Sequence, residues 1–205
     1  MTVEHVVFIV EEPSMEVALQ ILLPRLLGHV SFSIHAHSCK AELLKRLPDR
    51  LRGYARYLPA SHRIVVIVDR DQQHCTTLKA QLDGWAHDAK LVTRPRTGGT
   101  KFQVVNRLAI EELEAWYFGD WEAVRAAYPR TSATIPSQSK YRNPDAIAGG
   151  TWEAFERVLQ KAGYFTGGLR KVEAARAVAT HMEASRNTSP SFRAFRDVLL
   201  EMTQA

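Results

Sequence analysis

The chain has 205 residues, 45% hydrophobic and 24% charged, a balance that excludes global disorder and suffices for a substantial core. Its net charge of +5 is a mild bias towards polyanions that solubility alone would also explain. Cys39 and Cys75 stand at no metal or redox spacing, the apolar start Val6 to Val10 is too short for a signal peptide, and Val17 to Leu27 is broken by Gln20, Pro24 and Arg25. These features predict a cytoplasmic chain with reduced thiols and no membrane contact.

In chain order, Val6 to Val10 reads as a buried strand ending at Glu11. Met15, Leu19, Leu22, Leu23 and Leu26 then mark a helix, with Ser14 as its expected N-cap and Pro24 as its end or kink. Val30, Phe32, Ile34 and Ala36 alternate with polar residues as in a half-buried strand, and Lys40 to Tyr57 reads as a basic helix broken at Pro48. The strongest strand is Ile64 to Val68, a β-branched run suited to the centre of a parallel sheet, which leads into Asp69-Arg70-Asp71. A helix over 73–86, strands from Leu91 and over 102–109, and a helix over 110–118 follow.

From Trp121 onward strand signals vanish. Tyr128 to Asn143 reads as a polar loop, followed by three apolar helical stripes. The prediction is therefore an α/β fold with a mostly parallel sheet flanked by helices over residues 1–120. Residues 121–205 form a C-terminal helical extension packed on it.

Ligands of open parallel sheets bind beyond the carboxyl ends of the strands. Three acidic signals fall at such ends: Glu11-Glu12, Asp69-x-Asp71 and Glu111-Glu112-x-Glu114. Asp71 has a plain reading as a helix cap, and the third group as a solvated first turn. Gathered at one edge, however, two carboxylates ~4 Å apart repel by about 4 kcal/mol at an effective dielectric near 20. Such a cluster calls for a counter-cation or raised pKa values. Oxygen-only ligands select Mg²⁺ or Mn²⁺ over Zn²⁺, and such an ion can activate water against a phosphodiester.

These residues resemble a known pattern. Ile9-Val10-Glu11-Glu12-Pro13-Ser14 is similar to the Toprim signature, an acid at a strand end with Ser or Thr three residues on. Val68-Asp69-Arg70-Asp71 resembles its later Asp-x-Asp, and Glu112-Leu113-Glu114 the third acidic element of the overcoming-lysogenization-defect (OLD) nucleases. A closer resemblance, over nearly the whole chain, is to a family of Toprim-like bacterial proteins often encoded beside an AAA- or ABC-type ATPase in defence loci. It rests on Leu22 to Leu27 (Leu-Leu-Pro-Arg-Leu-Leu), Glu112 to Trp116 (Glu-Leu-Glu-Ala-Trp), Asn143-Pro144-Asp145 and Arg186 to Phe192 (Arg-Asn-x-Ser-x-Ser-Phe).

The resemblance implies a Toprim-like sheet and a nuclease acting on DNA or RNA with Mg²⁺ or Mn²⁺ and an ATPase partner. It implies Glu11, Asp69 and Asp71 as catalytic and metal-binding residues, with Glu112 and Glu114 as further ligands. Two departures stand out: Glu12 occupies a position usually held by glycine, and Met15 one often held by an acid, with Glu16 one residue late. Glu12, Glu16, Arg186, Asn187, Ser189 and Ser191 are further candidates without an assigned role, the last three also fitting helix caps.

Lys101 follows a Gly98-Gly99 turn that is no P-loop, yet could approach a phosphate and joins the catalytic candidates. His35 and His37 share a strand face, better explained by alternation than by metal binding, and His74 beside Cys75 has no partner at zinc spacing. Lys45, Arg46, Arg50, Arg52 and Arg56 fit a phosphate-tracking face or a solvated helix equally. A haloacid-dehalogenase-type phosphohydrolase also uses Asp-x-Asp, but on its first strand and with Thr or Val where Gln73 stands here. A topoisomerase needs more chain. The rival that survives is a non-catalytic Toprim-like adaptor binding an ATPase or nucleic acid.

Overall fold

The computed structural model describes residues 2–70, 74–94, 102–109 and 112–203. Four parallel strands, β1 (His5–Val10), β2 (Ser31–Ala36), β3 (His62–Asp69) and β4 (Val104–Ala109), form one sheet in the order β2-β1-β3-β4. The α/β parallel sheet read from the sequence is thus the architecture found.

Alternation sorts the side chains of the inner strands into two cores. Val6, Phe8 and Val10 of β1, with Val65 and Ile67 of β3, enter the larger core. Val7 and Ile9, with Ile64, Val66 and Val68, enter the smaller one. The smaller core is closed by α2 (Lys40–Tyr57) through Leu43, Leu47 and Leu51, and by α3 (Cys75–Asp88) through Leu78 and Leu82. The larger is closed by α1 (Pro13–Leu27), α4 (Glu114–Gly119), α5 (Trp121–Ala127), α6 (Thr151–Lys161), α7 (Lys171–His181) and α8 (Pro190–Thr203). The predicted polar loop before α6 carries short 3-10 turns at Ile135–Ser137, Ser139–Tyr141 and Pro144–Ala146.

Several local expectations are corrected. Ser14 does not cap α1: Pro13 takes the first helical position after an extended Glu12, and the Ser14 hydroxyl donates to the Glu12 carboxylate. Neither proline ends its helix, since α1 runs on past Pro24 and α2 past Pro48. Pro24 is exposed, so water can serve the carbonyl it leaves unpaired. The strand expected from Leu91 shrinks to one bridge, Thr93 to Val104. No helix among the described residues is long and apolar enough to cross a membrane.

Candidate metal centre

Because β1 and β3 are adjacent and parallel, the residues that follow them emerge at one edge. Glu11 leaves β1 there, and its Oε2 accepts the backbone N–H of Asp69, the last residue of β3, at 3.0 Å. Lys40 closes the same edge from α2, its Nζ donating to the carbonyls of Asp69 at 2.6 Å and Arg70 at 3.2 Å. Beyond β4, Glu114 opens α4 in full burial, 1% exposed.

The electrostatics follow from this convergence. Burial, reinforced by Glu11, Glu12, Glu114 and Glu112 in that order, drives the Asp69 carboxyl well above the usual range. Burial raises Glu114 to about 8; Lys171 pulls it back, while Glu12 and Glu112 push it up. Tyr117, one turn further along α4, is also raised, by burial first and then by Glu114 and Glu12, and its hydroxyl has no hydrogen-bond partner among the described residues. Five carboxylates therefore share one low-dielectric neighbourhood.

The protein supplies one cation from the far end of the chain. Lys171, first residue of α7, places Nζ 3.5 Å from Glu12 Oε2 and 5.4 Å from the Trp152 ring. Burial alone would lower its pKa, but Glu114, Glu12, Glu112 and Asp69 outweigh that and hold the ammonium above its ordinary range. Sequence reasoning missed this residue: a lysine opening an amphipathic helix carries no signal distinguishing it from a solvated one.

The donor set fits a hard divalent ion. Every acidic group at the edge offers oxygen, and Glu114 Oε2 is buried without a hydrogen-bond partner among the described residues. Glu11, Asp69 and Glu114 are the residues that would hold an ion, although among the described residues no three or more His, Cys, Asp or Glu side chains are grouped closely enough to hold one as they stand. Asp71 and Lys101 lie outside the described residues. Glu112 is otherwise engaged: its Oε2 accepts Thr151 Oγ1 at 3.0 Å and the Trp152 N–H at 2.9 Å, tying α6 to the edge.

Other candidates separate from the edge. Glu16 accepts a long hydrogen bond from Gln20, and His37 is buried beside Glu42 with Nδ1 4.0 Å from its carboxylate. Arg186 forks onto Asp120, Nε to Oδ1 at 2.7 Å and Nη2 to Oδ2 at 3.1 Å. Asn187 donates to the Trp116 carbonyl at 2.8 Å and accepts the Ser189 N–H. Asp145 accepts Ser189 Oγ at 2.6 Å and the Ser191 N–H at 2.7 Å, while Ser191 Oγ accepts from Trp116 Nε1. The stretches around Trp116, Asp145 and Arg186 to Phe192 thus form one largely buried clasp that starts α8 and anchors α4.

A family model described as Domain of unknown function (DUF4276) matches residues 10–200. The chain belongs to this family. The matched span takes in the acidic edge, Lys171 and the whole clasp. No curated protein and no solved structure matches the chain.

Proposed function

We propose that this DUF4276 protein is a Mg²⁺- or Mn²⁺-dependent nuclease of Toprim type, hydrolysing phosphodiester bonds of nucleic acid as the effector of an ATPase partner in anti-phage defence. The observation that supports it is the placing of Glu11, Asp69 and Glu114 at the carboxyl edge of a parallel sheet, where Glu11 and Glu114 both push the Asp69 carboxyl up and Glu114 Oε2 has no hydrogen-bond partner among the described residues. A divalent ion held there would supply a water of lowered pKa and positive charge for the phosphoryl oxygens. The chain's own residues do the rest. Glu11 is fixed at the edge by the Asp69 N–H. Lys171 pairs with Glu12 and offsets the charge Glu114 takes on when it ionises.

The same compensation gives the adaptor reading its footing, because Lys171 and the Glu112 hydrogen bonds satisfy part of the cluster without an ion. Cleavage of DNA and RNA with Mg²⁺ or Mn²⁺, by the chain alone and together with a candidate ATPase partner, separates the two. Glu11→Gln and Asp69→Asn should each lower the rate by about 10² or more, and Asp49→Asn, on the exposed face of α2, should not. Undiminished cleavage by the Glu11→Gln, Asp69→Asn double variant in the complex would refute the mechanism and favour the adaptor.

A further inference from the structure

The basic residues are not spread evenly. On α2, which carries six of them, Arg46 pairs with Glu42 at 3.1 Å and Arg52 with Asp49, so carboxylates are interspersed among the cations of that face. The opposite situation holds beside α6. A cavity of about 470 Å³ lies between α6 and the segment that precedes it, lined by Arg130, Lys140, Arg157 and Lys161 with the hydroxyls of Ser132 and Thr134. A second cavity of about 300 Å³ shares Lys140, Tyr141 and Arg157 with the first and extends the groove to Ala154. Among the described residues no carboxylate lines either one.

Two of the four cations are held in place. Arg130 Nη2 donates to the Gly163 carbonyl at 2.8 Å while its guanidinium lies 4.2 Å over the Tyr164 ring, and Lys140 Nζ sits 4.6 Å over the Tyr141 ring. Arg157 and Lys161 stand one turn apart on the exposed face of α6. Four like charges around one concavity repel one another, and counter-anions must gather there.

The helix also gives the groove a direction. The first turn of α6, through Thr151 and Trp152, grips Glu112 at the acidic edge. At 1.5 Å per residue, Arg157 lies roughly 8 Å and Lys161 roughly 14 Å further along the axis. Groove and edge are thus connected by one rigid element, at a spacing a nucleic-acid strand covers in a few nucleotides.

We propose that the groove along α6 binds the phosphate backbone of a nucleic-acid strand, with Arg157 and Lys161 as its central contacts and Arg130 and Lys140 as flanking ones. A backbone suits it better than a compact ligand, because the cations line two adjoining cavities that share Lys140 and Arg157. The assignment of this strand as substrate rests on the nuclease reading; binding itself does not.

The test is fluorescence anisotropy of labelled single-stranded DNA, single-stranded RNA and duplex DNA with the full chain in EDTA, over a salt series. Arg157→Ala with Lys161→Ala should weaken binding on the order of tenfold and lower the salt slope by about 1.4 for a single strand. Lys45→Ala with Arg56→Ala removes the same charge from the exposed face of α2 and should change affinity less than about twofold. Equal losses in both pairs, no loss in the first, or no strand binding by the wild type would overturn the groove. Displacement of the strand by inorganic phosphate, a mononucleotide or polyglutamate at matched charge would overturn its assignment to nucleic acid. Cleavage with Mg²⁺ or Mn²⁺ is read on the same proteins. Binding that depends on the groove without any cleavage, by the chain alone or in complex with an ATPase partner, defeats the nuclease reading alone. Cleavage indifferent to the groove variants defeats the groove alone.

Discussion

Glu114 keeps its proton up to about pH 8 in the folded chain, whereas an exposed glutamate releases it near 4.5. Between those values the folded state holds more protons than the unfolded one, so this group's contribution is full below about pH 4.5 and is lost as pH rises towards 8. Glutamine does not titrate, so Glu114→Gln should raise the melting temperature, by a margin that grows from about pH 5 to about pH 9. A margin independent of pH would show that Glu114 is not strained by ionisation. Lys171→Met has the opposite sign and should lower the melting temperature, because it removes the cation that faces Glu12 and Glu114. Mg²⁺ or Mn²⁺ should raise the wild-type melting temperature by mass action and that of Asp69→Asn less; equal shifts would mean no ion binds at the edge. The acids were legible because a strand pattern ending in Glu or Asp fixes where the carboxylate emerges. Lys171 was not, since its role depends on how α7 returns over the sheet 160 residues after Glu11.

At the level of elements, the clasp explains why Arg186, Asn187, Ser189 and Ser191 stand together in the sequence without joining the acidic edge. Asn187 is fully buried and serves two backbone groups, the Trp116 carbonyl and the Ser189 N–H. Asn187→Ala should leave both unpaired, at about 1–3 kcal/mol, for a fall in melting temperature of about 3–10 °C. Gly119 is held to its identity by the same packing, since a Cβ there would run into Asn187 Oδ1 and come within 2.7 Å of the Ser189 nitrogen. Gly119→Ala should therefore cost about 1–3 kcal/mol by overpacking, although alanine usually favours helix. Thermal unfolding of the two variants checks both, and a neutral Gly119→Ala would mean that the clasp is loose. The four strands were legible from apolar and β-branched runs or alternation, and most helices from their apolar stripes; the strand expected from Leu91 was not found. Pro24 and Pro48 misled because a helix already packed along one face tolerates a missing hydrogen bond on its wetter side.

Across the whole molecule, the division at residue 120 drawn from the loss of strand signals does not mark a break in the core. The larger core runs without interruption from Val6, Phe8 and Val10 to Phe192, Phe195 and Leu199. Phe195 meets Phe8 edge-on at 6.4 Å and stacks on Trp116 at 5.1 Å, and Arg25 of α1 donates to the Ala179 and Met182 carbonyls at the end of α7. Helices α7 and α8 thus cover sheet and α1 surface that would otherwise face water, and α7 delivers Lys171 to the edge. Removing the fully buried Phe195 ring should cost about 3–5 kcal/mol wherever its contacts belong to one cooperative unit. Native-state hydrogen exchange on Phe195→Ala distinguishes the cases. If the chain opens as a whole, the slowest amides of β1 and α8 lose protection by the same amount. If residues 121–205 are an appendage that detaches first, α8 loses protection while β1 keeps its own, and the continuous core would then be a set of contacts without cooperative weight.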